Sequence, residues 1–214
     1  MSANVDWTKS VDMLENNHSI TKITQKNHAA CGHVHAIIDA LNHIRNTSNI
    51  NPTKIKEIKI GSYQKTYEIC HNPNPKTPYE AKFSAEYCAA MAILNGRALR
   101  SDDFLKENLQ ASSVKNLMGI VDLKIDEGCQ NIFPKARSAN VEVVTLDDEV
   151  FAHFAPTRKG DPDNPLSDSE LSSKYTDLVE PVAGKPVGEA LLSALWSAEK
   201  LKSIQDLDLE NLRR

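Results

Sequence analysis

The stretch ANVEVVTLDDEVFAHF, residues 139–154, decides the fold class. Residues 139–146 and 149–154 both read as strands, and Asp147-Asp148 between them reads as the turn of a hairpin. A hairpin beside helices points to an α+β layer and away from a parallel doubly wound sheet. Upstream, IVDLKID alternates Val121, Leu123 and Ile125, and KIKEIKIGSY puts Ile58 and Ile60 on one face, so two further strands are expected.

Between those two strands the pattern turns helical. A Pro/Asn-rich loop, HNPNPKTP, precedes a long helix expected over Tyr79–Asn95, with Phe83, Tyr87, Ala90, Met91 and Leu94 on its core face. Asn95-Gly96 supplies a left-handed stop. Ser101 is positioned to cap another helix, with Phe104, Leu105 and Leu109 inward. Near the N-terminus, Val34, Ile37, Ile38, Leu41 and Ile44 recur at helical spacing, so a helix is expected to begin at Gly32 or His33 and to end in NTSNINPTK. His35, Asp39 and His43 fall on another face, with His35 and Asp39 as an i, i+4 pair. Residues 1–20 are polar, with a short helix expected around Trp7, Val11 and Leu14. Ile20 and Ile23 suggest a short strand leading to Lys26.

Downstream, RKGDPDNPLSDSEL marks a boundary, and Ser167 with Glu170 has capping-box spacing. Pro186 opens a last helix, expected over about 187–202. Val187, Leu191, Leu195 and Leu201 lie on one side of it, Leu192 and Trp196 on another. That apolar stripe is broad for a surface helix and calls for burial against more than one neighbour. The expected units are 1–23, 24–165 (α+β) and 166–214 (helical).

The totals are those of an ordinary globular chain: 214 residues, 40% hydrophobic, 25% charged, formal charge −4. Without a dense Lys/Arg block, nucleic acid is not expected as a partner. No apolar run approaches the ~20 residues needed to span a bilayer, and the first residues carry no export signal, so a cytoplasmic location is expected. Cys31, Cys70, Cys88 and Cys129 are widely spaced without a CxxC pair, and reduced thiols are expected.

Three stretches, QKNHAACGHVHAIIDAL (25–41), PKTPYEAKFSAEYCAAMAILNGR (75–97) and RKGDPDNPLSDSELSSKYTDLVEP (158–181), resemble in order and spacing the C-terminal part of the MmgE/PrpD family. The family includes 2-methylcitrate dehydratase, cis-aconitate decarboxylase and iminodisuccinate epimerase. The resemblance covers about residues 20–205. It implies a small mixed helix/sheet lid-type domain, followed by C-terminal helices that in relatives belong to an all-helical domain. It further implies cofactor-independent lyase or isomerase chemistry on a small di- or tricarboxylic acid, by proton abstraction next to a carboxylate, with no cofactor and no metal. Lys26 sits where relatives place a lysine facing the substrate cleft. Cys31 falls where the decarboxylase has a catalytic histidine, and His28 replaces part of an aromatic-proline pair found in many relatives. A homo-oligomer, or a separate helical N-terminal half, is the implied protein partner.

That step needs a base near the C–H bond and cations that hold the carboxylates. Lys26 is the expected catalytic residue, either as base or as carboxylate binder. His28, Cys31 and Gly32 are the expected substrate-binding residues, at a helix N-terminus that favours an anion and lowers a thiol's pKa. The plain readings are a solvated Lys26, a structural His28, a surface His33 and a buried hydrophobe at Cys31. A zinc site of His28, Cys31, His33 and His35 is the sharp rival, but one helix cannot aim all four at one ion: 28, 31 and 35 share a face and 33 points away. For the whole chain the alternative to an enzyme part is a non-catalytic remnant or partner subunit.

Overall fold

The structure, a computed structural model, describes Trp7, Thr8, Val11 and residues 19–207. The helix expected around Trp7, Val11 and Leu14 otherwise lies outside the described residues. The fold is α+β: a mixed four-stranded sheet with helices against one face. The strands are β1 (Ile55–Ser62), β2 (Val121–Ile125), β3 (Ala139–Thr145) and β4 (Val150–Ala155), in the order β2-β1-β3-β4.

The 139–154 hairpin forms as read. Val141 pairs with His153 and Val143 with Phe151, antiparallel. The turn closes through Asp148 N–H donating to Thr145 O at 3.1 Å, with Asp148 at φ 59°, a region that Asp tolerates. β1 pairs antiparallel with β3 and parallel with β2, with Ile58 opposite Val121. Ile58, Ile60, Val141 and Val143 are fully buried and form the sheet's side of the core. The opposite face carries the row Asp122–Lys59–Glu142, in alternating charge across three strands. This is the pattern of a sheet solvated on one side.

Helix α1 (His35–Ser48) buries Ile37, Ile38, Leu41 and Ile44 against the sheet and stops at left-handed Asn49. It begins later than the expected Gly32 or His33, because 32–34 form a turn in which Val34 N–H donates to Cys31 O (3.1 Å). Three short helices were not signalled by periodicity: α2 (Gln64–Cys70), α6 (Ser112–Met118) and α7 (Glu127–Ile132). The expected helix over Tyr79–Asn95 is two pieces, α3 (Pro78–Ala81) and α4 (Ala85–Asn95). Ser84 interrupts it, since its hydroxyl accepts Tyr87 N–H at 3.0 Å and starts α4 afresh. Every residue from Ala85 to Ile93 is buried, so α4 is the central helix, and it ends at left-handed Gly96 as read.

The segment after Ser101 is a 3-10 turn (Ser101–Phe104) followed by α5 (Lys106–Gln110). Phe104 and Leu109 point inward, but Leu105 is exposed, because the break between the two elements rotates it outward. Residues 19–22 form a 3-10 turn in place of the strand expected around Ile20 and Ile23, and both isoleucines are exposed. The Ser167–Glu170 capping box opens α8 (Asp168–Ala183), and α9 (Lys185–Trp196) ends short of the expected 202. The two helices pack on each other, with Tyr175 Oη donating to Gly188 O at 3.1 Å. They meet the α+β unit through polar contacts: Arg100 Nε–Asp177 at 2.5 Å and Lys174 Nζ to Lys26 O at 2.7 Å.

Candidate functional site

Residues 23–34 contain no regular helix or strand, yet they are held firmly. Gln25 N–H donates to Gly160 O (2.8 Å), Ala29 N–H to Leu99 O (2.9 Å) and Cys31 N–H to Lys82 O (2.8 Å). Three segments distant in sequence thus pin one strap. Beneath it, His28 is an internal pin. Its Nδ1 accepts Leu99 N–H at 3.1 Å, which leaves Nε2 protonated to donate to Asp39 at 2.9 Å. The ring is fully buried and both nitrogens are taken, so His28 presents no free ring nitrogen to a ligand. The expected His35–Asp39 pair does not form. Asp39 takes His28 and Lys159 N–H (2.8 Å), and His35 Nε2 lies 3.3 Å from Ala30 O. His35 is fully buried and its Nδ1 has no partner. Burial, then the nearby His28, hold its pKa down at about 3.

The upper edge of the strap carries the other candidates. Lys26 is exposed, with Nζ 3.3 Å from Ala30 O, and its charge acts on Cys31. Cys31 is half-buried. Its thiol falls to about 6, first through a hydrogen bond from Cys70, against the cost of burial, and then through the His33 N–H, Lys26 and Arg137. Gly32 is a point of close approach: a Cβ there would come within 2.8 Å of Arg158 Nη1. Arg158 is itself buried, forked onto Asp161 (Nη2–Oδ1 2.5 Å, Nε–Oδ2 3.1 Å). His33 is half-buried and not a surface residue. Its Nδ1 lies 2.7 Å from Tyr63 Oη, which faces it from the end of β1. Burial lowers His33, helped by Arg137, Arg158 and Lys65, whereas burial raises Tyr63 to about 12.

The structure therefore brings Lys26, Cys31 and Gly32 together and adds Arg137, Arg158 and Tyr63, which no sequence motif marked. Arg137 matters most, because its Nε is buried without a hydrogen-bond partner while its charge reaches Cys31, His33 and Tyr63. The four donors of the zinc reading do not converge: His28 turns to Asp39, His33 to Tyr63 and His35 to Ala30. Among the described residues no group of three or more His, Cys, Asp or Glu is placed to hold a metal.

A cleft of about 1290 Å³ opens on the other side of Asn27, between α1 and α8. Asp39, Arg100, Lys159, Asp177 and the stacked pair His43–His153 line it, the rings 3.9 Å apart. Lys26 and residues 31–33 do not.

The MmgE/PrpD C-terminal domain profile matches residues 28–197. The chain belongs to the MmgE/PrpD family. The match runs from the strap through the sheet to the end of α9, so it takes in the α+β unit and both C-terminal helices. No curated protein matches this MmgE/PrpD chain. Among its described residues no helix is long and apolar enough to cross a membrane.

Proposed function

We propose that the 26–33 strap is the lid-side wall of a cofactor-independent MmgE/PrpD-type lyase or isomerase site for a small di- or tricarboxylic acid. The observation that carries this reading is the orphaned Nε–H of half-buried Arg137, whose charge acts on Cys31, His33 and Tyr63. A buried guanidinium donor without an acceptor is costly, and a carboxylate is its natural complement. Lys26, on the open side of the strap, supplies a second cation for that carboxylate or for its neighbour. Cys31, whose thiol is lowered to about 6, is the group suited to take a proton from the adjacent carbon, because that value lies near the operating pH. Gly32 leaves room for Arg158 to approach the strap from below. His28 does not touch the substrate in this reading. It positions the strap through Leu99 and Asp39.

Succinate and citrate, titrated into the labelled chain and followed by NMR, test the proposal. The amides of Cys31, Gly32 and His33 should shift and saturate. Arg137→Ala should weaken binding about tenfold, the loss expected for one charge-assisted hydrogen bond. Shifts scattered over the charged sheet face, or unchanged affinity in Arg137→Ala, overturn the assignment.

A second reading, a partner subunit without chemistry of its own, is favoured by one observation. Leu178, Val182, Leu195 and Trp196 remain exposed on the α8–α9 hairpin. A second copy of the chain or a separate helical half is the proposed cover. Concentration-dependent sedimentation that Val182→Glu reverses supports it, and a monomer at all concentrations removes it.

A further inference from the structure

β4 is the last strand of the sheet, so one of its sides has no neighbouring strand. Which groups face that open side follows from the ladder. Thr145 N–H donates to Glu149 O at 2.9 Å, which makes the two a hydrogen-bonded pair. Such pairs alternate along an antiparallel ladder. Phe151, His153 and Ala155 therefore turn their backbone N–H and C=O groups toward β3, and Val150, Ala152 and Phe154 turn theirs away. No described residue bonds to those outward groups. The side chains of the same residues lie on the solvated face: Ala152 is exposed, Val150 is 59% exposed and Phe154 44%.

This edge is unguarded. Proteins blunt a free edge with charge, proline or a bulge. The other edge strand, β2, does so with Asp122 and Lys124, paired at 2.6 Å. VFAHFA, the whole of β4, has no Asp, Glu, Lys, Arg or Pro, and its pairing with β3 runs without a register shift. His153 stacks on His43 of α1, and burial followed by His43 lowers its pKa, so it adds no charge at pH 7.

We infer that β4 pairs antiparallel with β4 of a second copy of this chain, about a two-fold axis at Ala152, joining the two sheets into one. The strand is its own complement in that register. Val150 faces Phe154 of the partner subunit, Ala152 faces Ala152 of the partner subunit, and Phe154 faces Val150 of the partner subunit. Every outward N–H and C=O then meets an outward partner, each pair exchanging two hydrogen bonds. A slip by one residue sets outward groups against inward ones. A slip by two leaves Val150 or Phe154 opposite the hairpin turn or beyond Ala155. On the solvated face the register puts a valine against an aromatic ring on each side of the axis, with the small alanines between them. Each copy spends its one unguarded edge, so the assembly closes at the dimer. The ladder is short, and a reversible association is expected. The inference concerns a different surface from the strap and from the α8–α9 hairpin, and rests on neither reading above.

Amide hydrogen exchange of the whole chain, followed by NMR at low and high protein concentration beside sedimentation, tests it. The Val150, Ala152 and Phe154 amides should exchange freely when dilute. They should gain protection as the sedimenting mass rises from 23.7 kDa toward twice that value. The Phe151 and His153 amides should stay protected throughout. Ala152→Pro removes the N–H at the axis and no bond to β3. It should remain monomeric where the wild type dimerises, with Phe151 and His153 still protected. The wild-type measurement needs no variant to fold. A monomer at every concentration, protection of Ala152 and Phe154 that ignores concentration, or a folded Ala152→Pro that still dimerises overturns the inference. So does a dimer in which those amides stay unprotected, the result expected of association through α8–α9 instead.

Discussion

His35 should make the chain lose stability between pH 7 and pH 5, by an amount the structure sets. The ring is fully enclosed at the start of α1, with Nε2 near Ala30 O and Nδ1 without a partner. Burial, then His28, bring its pKa from 6.5 to about 3 in the fold. The unfolded chain therefore binds a proton below about pH 6.5 that the folded chain refuses until about pH 3. Stability is full above the unfolded value and falls with pH by about 1.4 kcal/mol per unit across that window. From pH 7 to pH 5 the expected loss from this one ring is about 2 kcal/mol. With a urea slope of about 2 kcal/mol per molar, the midpoint should drop by about 1 M. His33 and His153, also lowered by burial, add to the loss in the same sense, so the informative quantity is a difference. His35→Gln keeps an N–H donor for Ala30 O and has no titration. Urea melts of both proteins at pH 7 and pH 5 should show a smaller midpoint shift in His35→Gln, by about the stated amount, whatever its absolute stability. Equal shifts in the two proteins would refute the claim that this ring is held neutral.

Gly160→Ala should cost about 3 kcal/mol in urea melts: φ is +97° and a Cβ would lie 1.9 Å from Gln25 O, against the bond that pins the strap. Arg158→Ala should cost about 3–5 kcal/mol, because it strands the mostly buried Asp161 carboxylate, and Arg158→Lys should not restore the fork; a melt within 1 kcal/mol of wild type would count against that pair. Iodoacetamide should alkylate Cys31 at a rate that rises through about pH 6, and a midpoint at the ordinary thiol value would remove the thiolate from the site. Ser167→Ala should cost about 1 kcal/mol, read as faster hydrogen exchange in the first turn of α8, with the sheet unaffected.

The sheet and the longer helices were legible because their residues repeat at the period of the element. Ile58 and Ile60, Val141 and Val143, and the Ile37–Ile44 stripe each lie on the buried face that their spacing predicts. The parallel pairing of β1 with β2 was not legible, since nothing local in VDLKI names its neighbour. The short helices α2, α6 and α7 escaped because six or seven residues are too few to show a 3.6-residue period. Ser84 split the helix expected at Tyr79–Asn95 for a different reason: a serine inside an apolar helical run reads as tolerated, whereas its hydroxyl here competes for Tyr87 N–H and caps a new helix.

The candidate site was half legible, and the missing half follows from how the strap is held. Lys26 and Cys31 stood out because they lie in one short stretch, and sequence proximity suggested that His28 belonged with them. It does not, because a loop without helix or strand must satisfy its polar groups against other segments, and His28 is the side chain that does so. The same requirement brings distant cations to the strap. Gly160 anchors Gln25, which draws the 158–161 turn and its Arg158 beneath Gly32. The segment ahead of β3 carries Arg137 close enough for its charge to act on Cys31. A strap without helix or strand recruits partners from across the fold, and those partners set the charge around Cys31. The field at Cys31 is therefore a property of the tertiary structure: it draws on Lys26 next to it, Cys70 at the end of α2 and Arg137 before β3, a combination that the local sequence of 25–41 does not encode.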